Sequence, residues 1–269
     1  QTPLHWAAKY DRRELAELMI TRYKADVSPL DQDYQTPLHL AVEANLEAMI
    51  RLLLRHKAET DVRSKRLTPF VYAVKHGLYA AAKALAENKV EIDAEDINHG
   101  TPLTWAMHYM NLGIVELLLV NGWDVNWQKS DGWTALRCAA QHGNELMTKL
   151  LLKHNAKVDL CDRWSRRTPL RWAVLYGHTR IVQILVEYGA DINSRCKDGE
   201  TPLMQAVKRE DASVVWFLVD KRADMNVQNK DGATALHLAV RHGSKSIVWL
   251  LIESGARADA QDNEGMTPL

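Results

Sequence analysis

A threonine-led triplet returns along this chain at a nearly constant step, and that recurrence limits the fold more than any other feature. The triplet is Thr-Pro-Leu or Thr-Ala-Leu, with Phe70 as the one variant in third place. It begins at Thr2, Thr36, Thr68, Thr101, Thr134, Thr168, Thr201, Thr234 and Thr267, at steps of 32 to 34 residues. A fixed period of this length marks a stack of small, equivalent units. The expected organisation is a single array over residues 1–269, with units of about 2–35, 36–67, 68–100, 101–133, 134–167, 168–200, 201–233 and 234–266, and the start of a further one at 267–269.

The segment from Thr168 shows the internal order. Thr168 is placed to cap a helix, its hydroxyl accepting from a free amide of the first turn. Pro169 occupies the first helical position, where a missing N–H costs nothing. Leu170 and Ala173 share one face, and Gly177 ends the helix in a left-handed conformation. A second helix carries Ile181, Val182, Ile184, Leu185 and Val186 and ends at Gly189. A polar stretch with the turn signal Asp198-Gly199 leads to the next threonine. Each segment is therefore read as helix, turn, helix, extended turn. One such unit cannot bury its own apolar face. Stacked units can, through a column of alanines (Ala7, Ala41, Ala73, Ala106, Ala139, Ala173, Ala206, Ala239) and the leucines of the second helices. Each buried leucine contributes roughly 1.5–3 kcal/mol.

Thr2-Pro3-Leu4-His5-Trp6-Ala7-Ala8, Thr36-Pro37-Leu38-His39-Leu40-Ala41, Gly189-Ala190-Asp191-Ile192-Asn193 and Asp231-Gly232-Ala233-Thr234-Ala235-Leu236-His237 resemble the ankyrin-repeat signature. The resemblance covers essentially the whole chain. It implies an all-α solenoid of stacked helix-turn-helix units with hairpin loops along one edge, and a role as a protein-binding scaffold. The unit ends resemble those of large eukaryotic multi-repeat proteins of fungal type. Both chain ends fall inside the motif, so further units or another domain are expected outside the sequence.

Departures from the pattern are informative. The glycine between the two helices is replaced by Asp11, Asn45, Met110 and Glu210. The glycine after the second helix is replaced by Lys24, Lys57, Lys89, Asn155 and Arg222. Asp and Asn tolerate a left-handed conformation, whereas Met110 and Glu210 are expected to cost roughly 1 kcal/mol each if the geometry is kept. The alanine-rich second helix from Ala80 to Ala86 buries less area, so the first three units are expected to form the weaker end.

Composition narrows the function. Lys plus Arg equals Asp plus Glu at 34 each, which argues against indiscriminate attraction to nucleic acid or anionic membrane. No apolar run approaches the roughly 18 residues that span a bilayer. Cys138, Cys161 and Cys196 lack metal or redox spacing, and with no Asn-x-Ser/Thr acceptor they point to an intracellular setting, cytoplasm or nucleus. Cys138 is read as core filling, while Cys161 and Cys196, in loops, are read as exposed. No His-Glu-x-x-His, phosphate loop or Gly-x-Ser-x-Gly occurs. His5, His39 and His237 hold the fourth place of the signature, a structural position bonded to turn backbone. The chain is thus expected to be no enzyme and to need no cofactor or metal. Trp6, Trp105 and Trp172 are read as partly buried packing residues, and Trp216 and Trp249 as core or convex face.

A partner is expected on two sets of positions free of packing duty, the ends of the first helices and the loop tips. By resemblance to the family, both line the concave side. From the third unit on they are basic and aromatic. The candidate contacts are Lys75, His76, His108, Tyr109, His142, Tyr176, Lys208, Arg209, Arg241 and His242 at helix ends, and Trp133, Arg163, Trp164, Arg166, Arg167 and Lys197 at tips. Lys65, Asn98 and Lys230 occupy further tips. Arg163-Trp164-Ser165-Arg166-Arg167 is the sharpest cluster, and its unit carries one extra loop residue. The expected partner is an acidic or phosphorylated protein segment. The alternatives are that the array is the substrate-recruiting or regulatory arm of a larger enzyme or signalling protein, or, more weakly, that its basic face binds nucleic acid.

Overall fold

The computed structural model describes residues 1–64, 67–88 and 101–269; Lys65, Lys89 and Asn98 lie outside the described residues. The chain forms two compact units, Gln1–Asp124 and Val125–Leu269. In the first, helix pairs run α1 (Pro3–Lys9) and α2 (Arg13–Thr21), α3 (Pro37–Glu43) and α4 (Glu47–Arg55), α5 (Pro69–Lys75) and α6 (Tyr79–Glu87), α7 (Pro102–His108) and α8 (Leu112–Val120). In the second they run α9 (Ala135–His142) and α10 (Glu145–Lys153), α11 (Pro169–Tyr176) and α12 (Thr179–Glu187), α13 (Pro202–Lys208) and α14 (Ala212–Asp220), α15 (Ala235–His242) and α16 (Lys245–Glu253). Among the described residues the one β pairing is an isolated bridge between Ser64 and Leu67. The all-α repeat architecture expected from the sequence is the one observed.

Helices of seven to nine residues do not persist alone in water. Caps start them and packing holds them. Thr36, Thr68, Thr101, Thr134, Thr168, Thr201 and Thr234 each accept a hydrogen bond from the backbone N–H three residues on. Inside each unit the first helices pack in one row and the second helices in another, each pair closed on itself. The alanine column lies between them and is fully buried from Ala41 to Ala239. At α1 and α2, however, Trp6, Tyr10, Leu15 and Leu18 stay 41–54% exposed. The first pair therefore carries an exposed apolar face.

The left-handed positions keep their geometry where glycine is absent. Asp11, Asn45, Met110 and Glu210 have φ between 50° and 55°, and Lys24, Lys57, Asn155 and Arg222 between 54° and 62°. Each backbone reverses because the amide at this place bonds back into the preceding helix, as Met110 N does to Met107 O at 3.1 Å and Glu210 N to Val207 O at 2.9 Å. The fold thus imposes the conformation on side chains that disfavour it. Met110→Gly and Glu210→Gly are each expected to stabilise the chain by about 1 kcal/mol. Urea midpoints unchanged by either substitution would show that these side chains are not strained.

Candidate interaction surface

The loops of the second unit are built on one plan. In each, the first residue donates its N–H to the carbonyl just before the next threonine: Lys129 to Trp133, Asp162 to Arg167, Cys196 to Glu200, Asn229 to Ala233 and Asp262 to Met266, at 2.9–3.1 Å. A second set of bonds joins successive tips. Arg163 N donates to Asp131 O, Lys197 N to Ser165 O, Lys230 N to Asp198 O and Asn263 N to Asp231 O, all at 2.9–3.0 Å. This ladder sets the register of the tips. It places Arg163, Lys197 and Lys230 at equivalent positions in one row. Close approach of the tips requires Gly132, where a Cβ would stand 2.7 Å from Arg163 N.

The same register shows which residue of the longer loop is the extra one. Arg163 takes the place of Lys197, and Ser165, which accepts from Lys197 N, takes the place of Asp198. Trp164 lies between them with no counterpart in the other tips. It is 76% exposed, and no large apolar side chain among the described residues is more exposed. Arg166 then falls on the place of Gly132, Gly199, Gly232 and Gly265 and adopts φ 54°. The other tips of this unit carry an acid just before that glycine, Asp131, Asp198, Asp231 or Glu264. Here Ser165 replaces it. The charge balance of the tip is therefore basic.

The one acid of this loop, Asp162, is buried and used internally. Its carboxylate accepts from Ser165 N at 2.6 Å, Ser165 Oγ at 2.8 Å, Trp172 Nε1 at 3.2 Å and Arg167 N at 3.3 Å. Burial raises the carboxyl, but the hydrogen bonds from Ser165, Trp172 and Arg167 outweigh it and hold Asp162 below the usual carboxylate range. Two guanidinium groups lie over the Trp172 ring, Arg137 at 4.5 Å and Arg167 at 5.5 Å from its centroid. Tyr176 stacks one turn further along α11, 6.0 Å away.

Behind this tip lies a buried ion network. Arg171 stands in the fourth place of the signature, where His5 and His237 bond through Nε2 to Gln35 O at 2.9 Å and Met266 O at 3.1 Å. Arg171, fully buried, performs the same bridging with a longer side chain. Its Nη1 donates to the carbonyl of Glu200, its Nη2 reaches Gln205 Oε1 at 3.4 Å, and Glu200 Oε2 lies 3.6 Å away. Lys208 closes the network by pairing with the same Glu200 carboxylate. A cleft of about 460 Å³ opens beside it, lined by Arg167, Leu175, Glu200, Gln205, Lys208 and Lys230 among others.

The candidate residues fall into two groups. Arg163, Trp164, Arg166, Tyr176, Lys197, Arg241, His242 and His142 are exposed on the second unit. Trp133 and Arg167 are half-buried, and Lys208 and Arg209 are exposed but engaged, since Lys208 holds Glu200 and Arg209 Nη1 donates to Leu175 O at 2.6 Å. His142 Nδ1 stands 2.9 Å from Cys138 O of its own helix. The expectation that helix ends and tips are free of packing duty is corrected at these positions, because long basic side chains here reach back to carbonyls and rings of neighbouring segments. In the first unit His76, His108 and Tyr109 are exposed, and Lys75 lies over the Trp105 ring at 4.8 Å.

Further readings change on burial. Cys196 is buried, not exposed, because its loop turns inward at the first tip residue. Cys138 is core, and burial pushes its thiol up to about 11. Of the two readings of Trp216 and Trp249, core is excluded and an outer face remains, since they are 59% and 70% exposed. Glu200, at a loop tip, is buried and paired, and Arg137, Asp162 and Arg171, which support the tip from beneath, were not singled out by the sequence. The available signal was an arginine, Arg137 or Arg171, in the signature place that holds histidine at His5, His39 and His237.

A family model for ankyrin repeats, in three copies, matches residues 4–96, 103–196, 151–229 and 203–269. The chain belongs to the ankyrin-repeat family. It is 33% identical over 193 residues to the B-cell lymphoma 3 protein homolog of mouse, covering 69% of this chain and 42% of that protein. It is 31% identical over 198 residues to inversin of dog, covering 70% and 18%. It is 30% identical over 203 residues to the putative palmitoyltransferase ZDHHC13 of zebrafish, covering 74% and 26%. The chain therefore spans less than half the length of these relatives. Ankyrin repeats generally mediate protein–protein interaction and are interaction modules in place of enzymes. Among the described residues no helix is long and apolar enough to cross a membrane.

Proposed function

We propose that the Val125–Leu269 unit binds an acidic or phosphorylated segment of another protein along its row of loop tips, with Arg163, Trp164 and Arg166 at the centre. The observation that carries this is the composition of the Asp162–Arg167 tip. One inserted residue is an exposed tryptophan, an arginine sits at a left-handed glycine position, and the usual tip acid is a serine. Each choice is unfavourable or neutral for stability, and strain retained at one site of a repeated loop supports a binding role. Arginine forks match carboxylate and phosphate, and tryptophan supplies contact area at low entropic cost. Lys197 and Lys230 continue the basic row, with Tyr176, Lys208, Arg209, Arg241 and His242 along the helix ends beside it.

A displayed library of acidic and phosphorylated peptides tests this. Peptides selected on the chain are expected to lose about 30-fold in affinity with R163E/R166E, as for the loss of a binding hot spot. R166G separates binding from folding: it relieves the left-handed strain, so thermal stability rises while affinity falls. Selected peptides that bind R163E/R166E equally well at low ionic strength would remove the tip from the interface. A second mode, in which the array recruits substrates for a longer polypeptide, is supported by the greater length of the relatives. Sequencing the transcript on both sides of this chain decides it: a catalytic domain in the same frame is the expected result.

A further inference from the structure

The second helices carry a separate surface in their last two copies. The fifth residue of each second helix points away from the first helices. It is Glu17, Arg51, Lys83, Glu116, Lys149 and Gln183 in α2 through α12, and then Trp216 in α14 and Trp249 in α16. Both indoles are mostly exposed, at 59% and 70%, and Ile252 beside Trp249 is 39% exposed. Helices α14 and α16 pack on one another, so the two tryptophans occupy equivalent positions on neighbouring elements. An indole gains nothing from solvent, and the other copies show that a charged or polar side chain serves the fold at this place. Adjacent exposed aromatics of this kind mark association surfaces.

The charges beside them say what the surface fits. The final residue of α12, α14 and α16 is Glu187, Asp220 and Glu253, and all three are exposed. In α14 and α16 this acid lies four residues after the tryptophan, one turn along the same face. A carboxylate at a helix C-terminus opposes the helix dipole, so these acids do not serve helix stability. Asp220 has Lys221 at 3.4 Å, and among the described residues neither Glu187 nor Glu253 forms an ion pair. We infer that the exposed face of α14 and α16 docks a basic, amphipathic segment of another protein. Its aliphatic side chains cover the indoles, and its Lys or Arg side chains stack on them and reach the row of carboxylates. The same carboxylates repel an anionic membrane surface.

The test uses the whole chain and a displayed library of random helical peptides, selected on the wild type and counter-selected on W216Q/W249K. That variant installs residues native to this place in α12 and α10, and circular dichroism checks that it melts as the wild type does. Peptides rich in Lys or Arg alternating with aliphatic residues are expected. They should bind the wild type at least tenfold more tightly than W216Q/W249K, and lose affinity on E187Q/D220N/E253Q. R163E/R166E should leave them unaffected, which separates this surface from the tip row. The inference is overturned if no selected peptide distinguishes wild type from W216Q/W249K, or if the selected peptides are acidic or neutral. It is equally overturned if sedimentation shows a dimer that W216Q/W249K abolishes, or if vesicles of phosphatidylcholine and phosphatidylserine retain the wild type and not the variant.

Discussion

Replacing Arg171 with alanine should lower the stability of the second unit by about 3–5 kcal/mol, as expected when one member of a buried ion pair is removed. The side chain is fully buried, and its partners are Glu200, whose side chain is only 11% exposed, and Gln205. Without the guanidinium, the carbonyl of Glu200 keeps only the Cys196 N–H as donor and the carboxylate keeps only Lys208. Burial lowers the pKa of Arg171, and the nearby Cys196 and Glu200 offset this only in part. Arg171→His should recover part of the loss. An imidazole at this place reaches the carbonyl before the next threonine, as His5 reaches Gln35, but leaves Glu200 with Lys208 alone. Urea midpoints report the total, and hydrogen exchange in α11 and α13 reports where it falls. A loss below about 1 kcal/mol for R171A would mean that the network contributes no net stability. In a double-mutant cycle, R171A/E200A should cost less than the two single changes together, because each single change strands the other charge.

The second large effect is expected at Asp162. Substitution by alanine removes the acceptor for Ser165 N, Ser165 Oγ, Arg167 N and Trp172 Nε1 together. Hydrogen bonds to a charged group contribute about 1.5–3 kcal/mol each, and the tip can relax to recover some with water, so a loss of about 2–4 kcal/mol is expected. The sign of the pH dependence follows from the lowered pKa. The unfolded carboxyl titrates near about 3.9. Since the folded value lies below that, the stabilisation is fully present above about pH 4 and is lost as pH falls through the folded pKa. Wild type and D162N should therefore differ most near neutrality and converge in acid. The indole N–H resonance of Trp172 should titrate with the carboxylate in wild type and not in D162N. A stability gap that stays constant down to acid pH would show that the ionised carboxylate is not what orders the loop. Because Asp162 orders Arg163 to Arg167, D162A should also weaken the peptides selected on the tip row.

The features that could be read directly are those set by local geometry. A threonine followed by proline specifies a capped helix start at Thr36, Thr68, Thr101, Thr168 and Thr201. A glycine or asparagine between two apolar runs specifies a left-handed reversal, and an alanine every 32 to 34 residues specifies a column where helices meet. The family signature also placed His5 and His237 on turn backbone, because cap and bridge lie within one motif. The basic row was visible for the same reason, since equivalent positions in a repeat share an environment.

The rest depended on contacts between segments. Only the hydrogen-bond ladder tells Trp164 from Ser165 as the inserted residue, because the choice rests on which carbonyl Lys197 N meets. Cys196 is buried because its loop closes over Arg171 of the preceding segment, a meeting no local pattern encodes. Arg137 and Arg167 approach one indole from two different loops and helices, so their pairing with Trp172 was not a motif. Trp216 and Trp249 sit in helices whose neighbours are nearly all apolar, and hydrophobicity alone cannot orient such a helix. Repetition along the chain thus settled which small elements form and how they alternate, because capping and reversal are decided within a few residues. Which side chains are sealed, paired or left facing solvent was decided by stacking, because those fates depend on atoms roughly one repeat away in sequence.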